Sequence, residues 1–180
     1  MKQISAAYAS KLAIGIELAR HSARAITITS AARLKASDAR AIYRQVNGRG
    51  SNPGNTPYDP QWFLSNKIKR QHSALLLLLY CKYRTNLELS DAKHDAHGLA
   101  LALAFRVYSK VTNDTPVINL NRLNFLIGKG FCIGWRDIIK GGSSKFELDN
   151  VKVITCKVCK IPHLAEAHFV NYVCAECQAH

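Results

Sequence analysis

Residues 155–180, TCKVCKIPHLAEAHFVNYVCAECQAH, carry four of the chain's six cysteines as two Cys-x-x-Cys pairs separated by 14 residues. Two close pairs at this distance can bring four thiolates to the corners of a tetrahedron, the geometry that Zn²⁺ adopts in structural protein sites. The spacing therefore predicts one structural zinc ion, held by Cys156, Cys159, Cys174 and Cys177.

The other uses of four thiols fit this stretch less well. Disulfides do not persist in a reducing compartment, and a redox site needs only one Cys-x-x-Cys, which opens a helix beside a strand. Fe–S binding stays open as an alternative, and His163 or His168 could replace one cysteine as a ligand. Four thiolates fill the coordination sphere of zinc, so we expect no catalysis at the metal. Cys81 and Cys132 lie in apolar contexts and are expected to be small core residues.

The segment before the cysteines predicts a small lobe with short strands. The sequence KFELDNVKVITCKVC, residues 145–159, alternates apolar and polar residues as half-buried strands do. The lobe contains few large apolar side chains, so we expect the ion to supply much of its folding energy. Lys152, Lys157 and Lys160 lie close in sequence and can offset the negative charge of a Zn(Cys)₄ unit.

Charge and composition favour a protein that binds a polyanion, with a basic solvated surface that has no such partner as the alternative. Among 180 residues, 25 Lys and Arg oppose 12 Asp and Glu, for a formal net charge of +13. The excess is densest in residues 1–50, where nine basic residues oppose two acidic ones. The amino terminus lacks the pattern of a secretory signal, so we expect a cytoplasmic protein. The apolar runs 74–80 and 99–105 are far shorter than the roughly 20 residues that span a bilayer, so no membrane partner is expected.

The remaining periodicity predicts a mainly α-helical body. Ile4, Tyr8, Leu12 and Ile16 recur every fourth residue and predict a helix over residues 3–23. Two long helices are expected in QWFLSNKIKRQHSALLLLLYCKY and AKHDAHGLALALAFRVYSK, with a turn at 85–91 and Asp91 as a cap. A third is expected over 118–128. The leucine run at 74–80 is apolar nearly all round, which fits either a partner interface or the centre of the chain's own bundle.

Residues 30–47 predict a helix-turn-helix-like segment. We expect a short helix over 30–35, a turn near Ala36 and a second helix over 37–47, with Ser37 as its N-cap. The second helix would turn Ala39, Ile42 and Val46 inward, keep Tyr43 and Gln45 near its edges, and present Arg40 and Arg44 outward. Such a face fits DNA recognition in the major groove, and it fits equally a packing helix with a solvated basic side. The expected DNA contacts are Arg33, Lys35, Ser37, Arg40, Arg44 and Arg49.

The order of these segments resembles the FlhC family of bacterial transcriptional regulators. The residues that carry the resemblance are ARLKASDARAIYRQVNGRGSNPGNTPYDPQWF, then NRLNFLIGKGF, then the two cysteine pairs. The most distinctive matches are Arg49, Gly50, Ser51, Pro53, Gly54, Pro57, Trp62 and Phe63. The likeness runs from about residue 10 to residue 177.

The resemblance implies a DNA-binding activator subunit that binds zinc through the four cysteines and is not an enzyme. It further implies a hetero-oligomer with an FlhD-like protein, which contacts RNA polymerase at flagellar or conjugative-transfer promoters. The chain ends at His180 without a basic tail and has an enlarged segment before the first cysteine pair, which favours the branch carried by conjugative plasmids and integrative elements. A zinc-containing protein–protein adaptor that does not contact DNA is the alternative.

Together these expectations divide the chain into four parts. Residues 1–50 form a helical, basic, DNA-binding segment, and residues 51–60 form a Pro/Gly connector. Residues 61–150 form a helical body that binds the partner, and residues 151–180 form the Cys₄ zinc lobe. No motif for a hydrolase, a metalloprotease or a phosphate-binding loop accompanies them.

Overall fold

The computed structural model describes residues 5–90, 94–127, 135–140 and 149–179. This part of the chain is mainly α-helical, with a two-stranded sheet beside the cysteines, which confirms the predicted fold class. None of its helices combines the length and apolar character needed to cross a bilayer. The helices are α1 (Ala6–Arg20), α2 (Ala25–Ala32), α3 (Ala36–Asn47), a 3₁₀ helix (Gln61–Leu64), α4 (Lys67–Glu88), α5 (Ala96–Val111), α6 (Leu120–Leu126), α7 (Trp135–Ile139) and α8 (Ala175–Gln178).

Helix α1 forms as predicted, but its buried face is shifted. Ser5 caps the helix by accepting a 3.3 Å hydrogen bond from the backbone N–H of Tyr8. The predicted stripe of Tyr8, Leu12 and Ile16 is only half-buried, and Ile4 lies outside the described residues. The buried residues of α1 are Ile14, Gly15, Leu18 and Ala19. The shift arises because α1 packs against α2 and α3 on one side and against α5 on the other.

Helices α2 and α3 form the expected helix-turn-helix-like pair, with different boundaries. The first helix begins at Ala25 and ends at Ala32, and the turn lies at 33–35, with Arg33 in the left-handed conformation. Leu34 is buried in the core, so the turn ends at Lys35 and α3 begins at Ala36. The prediction that Ser37 is the N-cap is therefore wrong: it lies within the first turn of α3, and its hydroxyl donates to the Asp38 carboxylate at 3.2 Å.

The connector after α3 folds back over the beginning of α2. The Arg24 guanidinium donates to the backbone carbonyls of Gly54 and Asn55, the latter at 2.9 Å. The Ser51 hydroxyl accepts from the backbone N–H of Ala25 at 3.1 Å. From α6, the Asn121 side-chain oxygen accepts from the backbone N–H of Arg24 at 2.9 Å. Helix α2 is thus capped by residues distant in sequence.

Helices α4 and α5 pack along each other and form the centre of the body. The predicted single helix from residue 61 is two elements, because Asn66 starts a new helix by accepting from the backbone N–H of Lys69 at 2.8 Å. Helix α4 extends to Glu88, past the residues at which we expected a turn to begin, and Asp91 lies outside the described residues. Within the leucine run, Leu76 and Leu77 are buried and Leu78 is 37% exposed, so much of the run fills the chain's own core.

The sheet before the second cysteine pair is a hairpin of β1 (Val151–Thr155) and β2 (Pro162–Glu166), paired antiparallel. The prediction of short strands leading into the cysteines is confirmed for β1, whereas residues 145–148 lie outside the described residues and β2 follows the first cysteine pair, where no strand was predicted. Val151, Val153 and Leu164 belong to the same buried cluster as the helices, and β2 packs on α4. The cysteine lobe therefore shares the hydrophobic core of the helical body.

Candidate metal centre and basic helix

The four predicted cysteines converge at the end of the hairpin. Their Sγ atoms all lie within 4.8 Å of one another, and those of Cys159 and Cys174 are 3.9 Å apart. A tetrahedral zinc ion with Zn–S bonds of about 2.3 Å separates its sulfur atoms by about 3.8 Å. The cluster thus has the spacing that one tetrahedral metal ion requires.

Local backbone structure positions each pair. Cys156 follows β1 and Cys159 lies in the turn that returns the chain to β2, while Cys174 is the N-cap of α8 and Cys177 lies within that helix. The Lys157 N–H donates to the carbonyl of Tyr172 at 2.9 Å and so ties the first pair to the second. The sulfurs are held together by secondary structure and by backbone hydrogen bonds between the two turns.

The electrostatics of the cluster favour binding of a cation. Burial raises the pKa of Cys156, but backbone N–H groups, including that of Cys174 at 3.4 Å from its sulfur, lower the pKa to about 6. The hydrogen bond with the Cys174 side chain instead raises the pKa of Cys177 to about 12, and burial raises that of Cys159. Thiolates this close repel one another, so all four can ionise together only around a positive ion. A divalent thiophilic ion such as Zn²⁺ meets that requirement.

The two nearby histidines lie outside the four-sulfur group. Nε2 of His163 is 4.0 Å from Sγ of Cys159, so this ring is a hydrogen-bonding neighbour of one of the four thiols. His168 pairs with Glu166 at 3.3 Å and stacks on Phe169. No other group of three or more His, Cys, Asp or Glu side chains comes as close together within the described residues. Cys81 is buried in α4, as predicted, and Cys132 lies outside the described residues.

Helix α3 separates a buried face from a basic exposed face. Ala39 and Ile42 are buried, as predicted, and Val46 is half-buried. Tyr43 was expected near the helix edge, but it is buried because the contacts of α3 with both α1 and α2 extend the buried arc. The exposed side carries Ser37, Arg40, Ala41, Arg44 and Gln45.

The six residues predicted to contact DNA are all exposed. Arg33 and Lys35 lie in the turn before α3, Ser37, Arg40 and Arg44 lie on α3, and Arg49 follows its C-cap, Gly48. The one acidic residue of α3, Asp38, points toward α1, where its carboxylate accepts a 2.7 Å hydrogen bond from the Tyr8 hydroxyl and raises the Tyr8 pKa. The exposed face of α3 is therefore basic without an acidic residue of its own.

Several contacts in this region escaped sequence reasoning. Trp62 carried part of the family resemblance, but its contacts with the Lys69 ammonium, 4.1 Å from the ring centroid, and the Arg122 guanidinium, 3.7 Å from it, were not foreseen. The Arg24 guanidinium holds the connector by donating to two of its backbone carbonyls. Arg24 and Arg122 lie far in sequence from these partners, so no local pattern identifies the contacts.

Comparison with known proteins does not identify a family. No protein-family model matches the chain, and no curated protein sequence matches it significantly.

Proposed function

We propose that this chain is the DNA-binding subunit of a transcriptional activator, with α3 as its recognition helix and a structural zinc ion at the four cysteines. The observation that carries the proposal is the exposed face of α3. Arg40 and Arg44 are four residues apart there, and neither has a carboxylate partner within the described part of the chain. Unpaired arginines on the second helix of a helix-turn-helix are suited to reading base edges in the major groove.

The surrounding basic residues fit the role of phosphate contacts. Arg33, Lys35 and Arg49 flank the two ends of α3 and are exposed. Phosphate contacts fix the orientation of a recognition helix, while contacts to base edges provide sequence specificity. In this arrangement Arg40 and Arg44 reach into the groove, and the flanking cations hold the helix against the two DNA strands.

The regulatory setting follows from the sequence resemblance to FlhC regulators. The chain assembles with an FlhD-like protein, and the complex recruits RNA polymerase to flagellar or conjugative-transfer promoters. The zinc ion stabilises the lobe and takes no part in chemistry, because four cysteines leave no coordination position for a substrate. The protein is accordingly not an enzyme.

An adaptor without DNA contact is the second candidate. The zinc lobe exposes Val158 by 61% and Val170 by 80%. An adaptor would use exposed aliphatic side chains of this kind in its contact with another protein. In this alternative the basic face of α3 is simply solvated.

A paired substitution distinguishes the two candidates. In the complex with its partner, Arg40→Ala/Arg44→Ala should weaken binding to DNA selected by the parent protein by a few kcal/mol, about 10²-fold or more, because each arginine contacts base or phosphate. The slope of log affinity against log salt should fall by about 2 in magnitude if both residues neutralise phosphates. Fluorescence anisotropy titrations at several salt concentrations measure both quantities.

The matched control removes the same charge elsewhere. Lys82→Ala/Lys140→Ala changes two exposed lysines and should alter the affinity by no more than about threefold. Equal binding by the arginine variant and the parent would place the recognition surface elsewhere. A parent complex that ignores DNA at all salt concentrations would favour the adaptor.

A further inference from the structure

A groove of about 230 Å³ lies between α1 and α5, on a surface that the proposed DNA contacts do not use. Its floor contains the buried side chains of Ile14 and Ala102. Ala13 lines it from α1, and Leu99 and Leu103 line it from α5. The lining is thus mostly aliphatic, and the two alanines let another backbone approach closely.

The residues that line the groove set its length. They run from Ser10 to Glu17 on α1 and from Leu99 to Arg106 on α5, which corresponds to roughly 10 Å or two helical turns. At one end the Ser10 hydroxyl donates to the Asp95 carboxylate at 2.7 Å. Together with the aliphatic side chains that continue along α5 to its last residue, this surface has the length of a helix of about three turns.

The apolar surface continues beyond the groove along α5. Leu99, Leu103, Val107 and Val111 follow one another at intervals of four residues and therefore form one line on the helix surface. The first three are half-buried, and Val111 is 62% exposed. A row of partly exposed aliphatic side chains at this spacing is the surface that an amphipathic helix recognises.

The charge around the groove selects an acidic occupant. Glu17 lies at the edge of the groove, but its carboxylate is 3.3 Å from the Arg20 guanidinium and 3.6 Å from the His21 ring. Glu17 is thus already paired with basic side chains close to it in sequence. Arg106 lines the groove and Lys110 follows one turn later; both are exposed, and neither has a carboxylate partner among the residues that the structure describes. A second copy of this chain, with its own charge of +13, would be repelled.

We infer that the α1/α5 groove binds an amphipathic helix, about three turns long and acidic along its flanks, from a protein other than this chain. Its apolar side chains lie on Leu99 and Leu103, and its carboxylates pair with Arg106 and Lys110. The inference rests on the hetero-oligomer of the proposed function and assigns the surface that forms it. It does not depend on DNA binding by α3.

Site-specific photo-crosslinking tests the inference in the cells from which the protein comes. The full chain carries p-benzoylphenylalanine in place of Leu103, or in place of Lys82 on the exposed side of α4 as the control. Irradiation should crosslink the Leu103 position, and not the Lys82 position, to a different chain. Mass spectrometry of the crosslinked peptide should identify a helical segment with apolar residues at intervals of three and four and Asp or Glu beside them.

Charge reversal tests the electrostatic part. Arg106→Glu should reduce the crosslinking yield from the Leu103 position at least fivefold, whereas Lys82→Glu should leave it unchanged, with circular dichroism confirming that both variants fold. A crosslink to a second copy of this chain, equal yields from both positions, no crosslink, or a yield insensitive to Arg106→Glu would each overturn the inference. If an FlhD-like protein still co-purifies in any of these cases, the proposed function survives and only its placement in this groove fails.

Discussion

At the scale of single residues, His97 shows how burial sets a protonation state. Its Nδ1 lies 2.9 Å from the Tyr80 hydroxyl, in the packing between α4 and α5. Burial, together with the nearby positive charges of Arg84 and Arg33, lowers the pKa of His97 to about 4. The ring is therefore neutral in the folded protein at pH 7, whereas an unfolded histidine has a pKa of about 6.5.

This difference predicts a stability that falls with acidification. Between pH 6.5 and pH 4 the unfolded chain takes up a proton at His97 that the folded protein does not, so the free energy of unfolding declines as pH falls through this window. From pH 7.5 to pH 5.5 the contribution of His97 to the free energy of unfolding should fall by about 1.5 kcal/mol. His97→Gln should remove most of this component, as measured by urea unfolding at the two pH values. His94→Gln, at an exposed position, should keep the pH dependence of the parent, and equal slopes for all three proteins would contradict the assignment.

The sequence was informative about residues whose role is encoded locally. Two Cys-x-x-Cys pairs keep the thiols of each pair close together, so the four cysteines that converge in the structure could be named from their spacing alone. Ser37 could not be assigned correctly, because the beginning of α3 depends on where Leu34 is buried. The burial of Tyr43 also depends on tertiary structure, because α1 and α2 both contact α3.

At the scale of secondary-structure elements, Gly98 sets the closest approach of α5 to α2. A Cβ at this position would lie 2.6 Å from the backbone oxygen of Ala31 and 3.0 Å from Cγ2 of Ile14. Backbone atoms cannot move aside as a flexible side chain can. The helices cross here only because residue 98 has no side chain.

We therefore expect Gly98→Ala to destabilise the protein. The overpacking should cost about 1–3 kcal/mol, despite the higher helix propensity of alanine. Gly50→Ala is the matched control, since no atom lies within 4 Å of a Cβ at that position. Chemical denaturation measures both variants. If the Gly98→Ala protein is as stable as the parent, α5 and α2 can move apart without lowering the free energy of unfolding.

The beginning of α2 yields a second prediction at this scale. Ser51→Ala removes the hydroxyl that accepts from the backbone N–H of Ala25 and should cost about 1 kcal/mol, the usual price of a lost helix cap. Ser37→Ala should change stability by less than about 0.5 kcal/mol, because Ser37 is exposed and is not a cap. Thermal unfolding of the two variants gives the comparison, and a larger effect at Ser37 would restore it as the cap of α3.

The beginnings of α4, α6 and α2 were all misplaced, for different physical reasons. Asn66 and Asn119 each precede a helix and accept from a backbone N–H in its first turn, so both caps are local signals, although we expected helices from residue 61 and over 118–128. Helix α2 has the sequence AITITSAA, which is rich in β-branched residues, and Arg24 at its N-cap position makes no side-chain capping bond. Its partners, Ser51 and Asn121, are supplied by the tertiary fold.

At the scale of the whole molecule, we expect the cysteine lobe and the helical body to unfold together. The hairpin contributes Val151, Val153 and Leu164 to the common core, and Glu176 of α8 pairs with Lys67 of α4 at 3.0 Å. We expect one equivalent of zinc in the purified protein. Its removal by a chelator should lower the midpoint of the α-helical transition by about 10 °C or more, as expected for a loss of some 4 kcal/mol in a chain of this size.

Far-UV circular dichroism of the metal-loaded and chelated protein measures this effect. Cys156→Ser should lower the midpoint similarly, and the chelator should then have little further effect. If removal of zinc leaves the midpoint of the helical transition unchanged, the lobe folds independently of the body. This coupling could not be predicted from the sequence, because β2 packs on α4, and α4 ends 74 residues before β2 begins.

The capping of α2 by residues distant in sequence also determines when the amino-terminal helices can complete their structure during translation. Ribosomes add about 5–20 residues per second, so Asn121 is made roughly 5–20 s after Arg24, its hydrogen-bond partner. Throughout that interval the first three helices lack a contact that completes their structure. The amino-terminal half of a nascent chain therefore cannot complete its native hydrogen bonding until α6 has been synthesised.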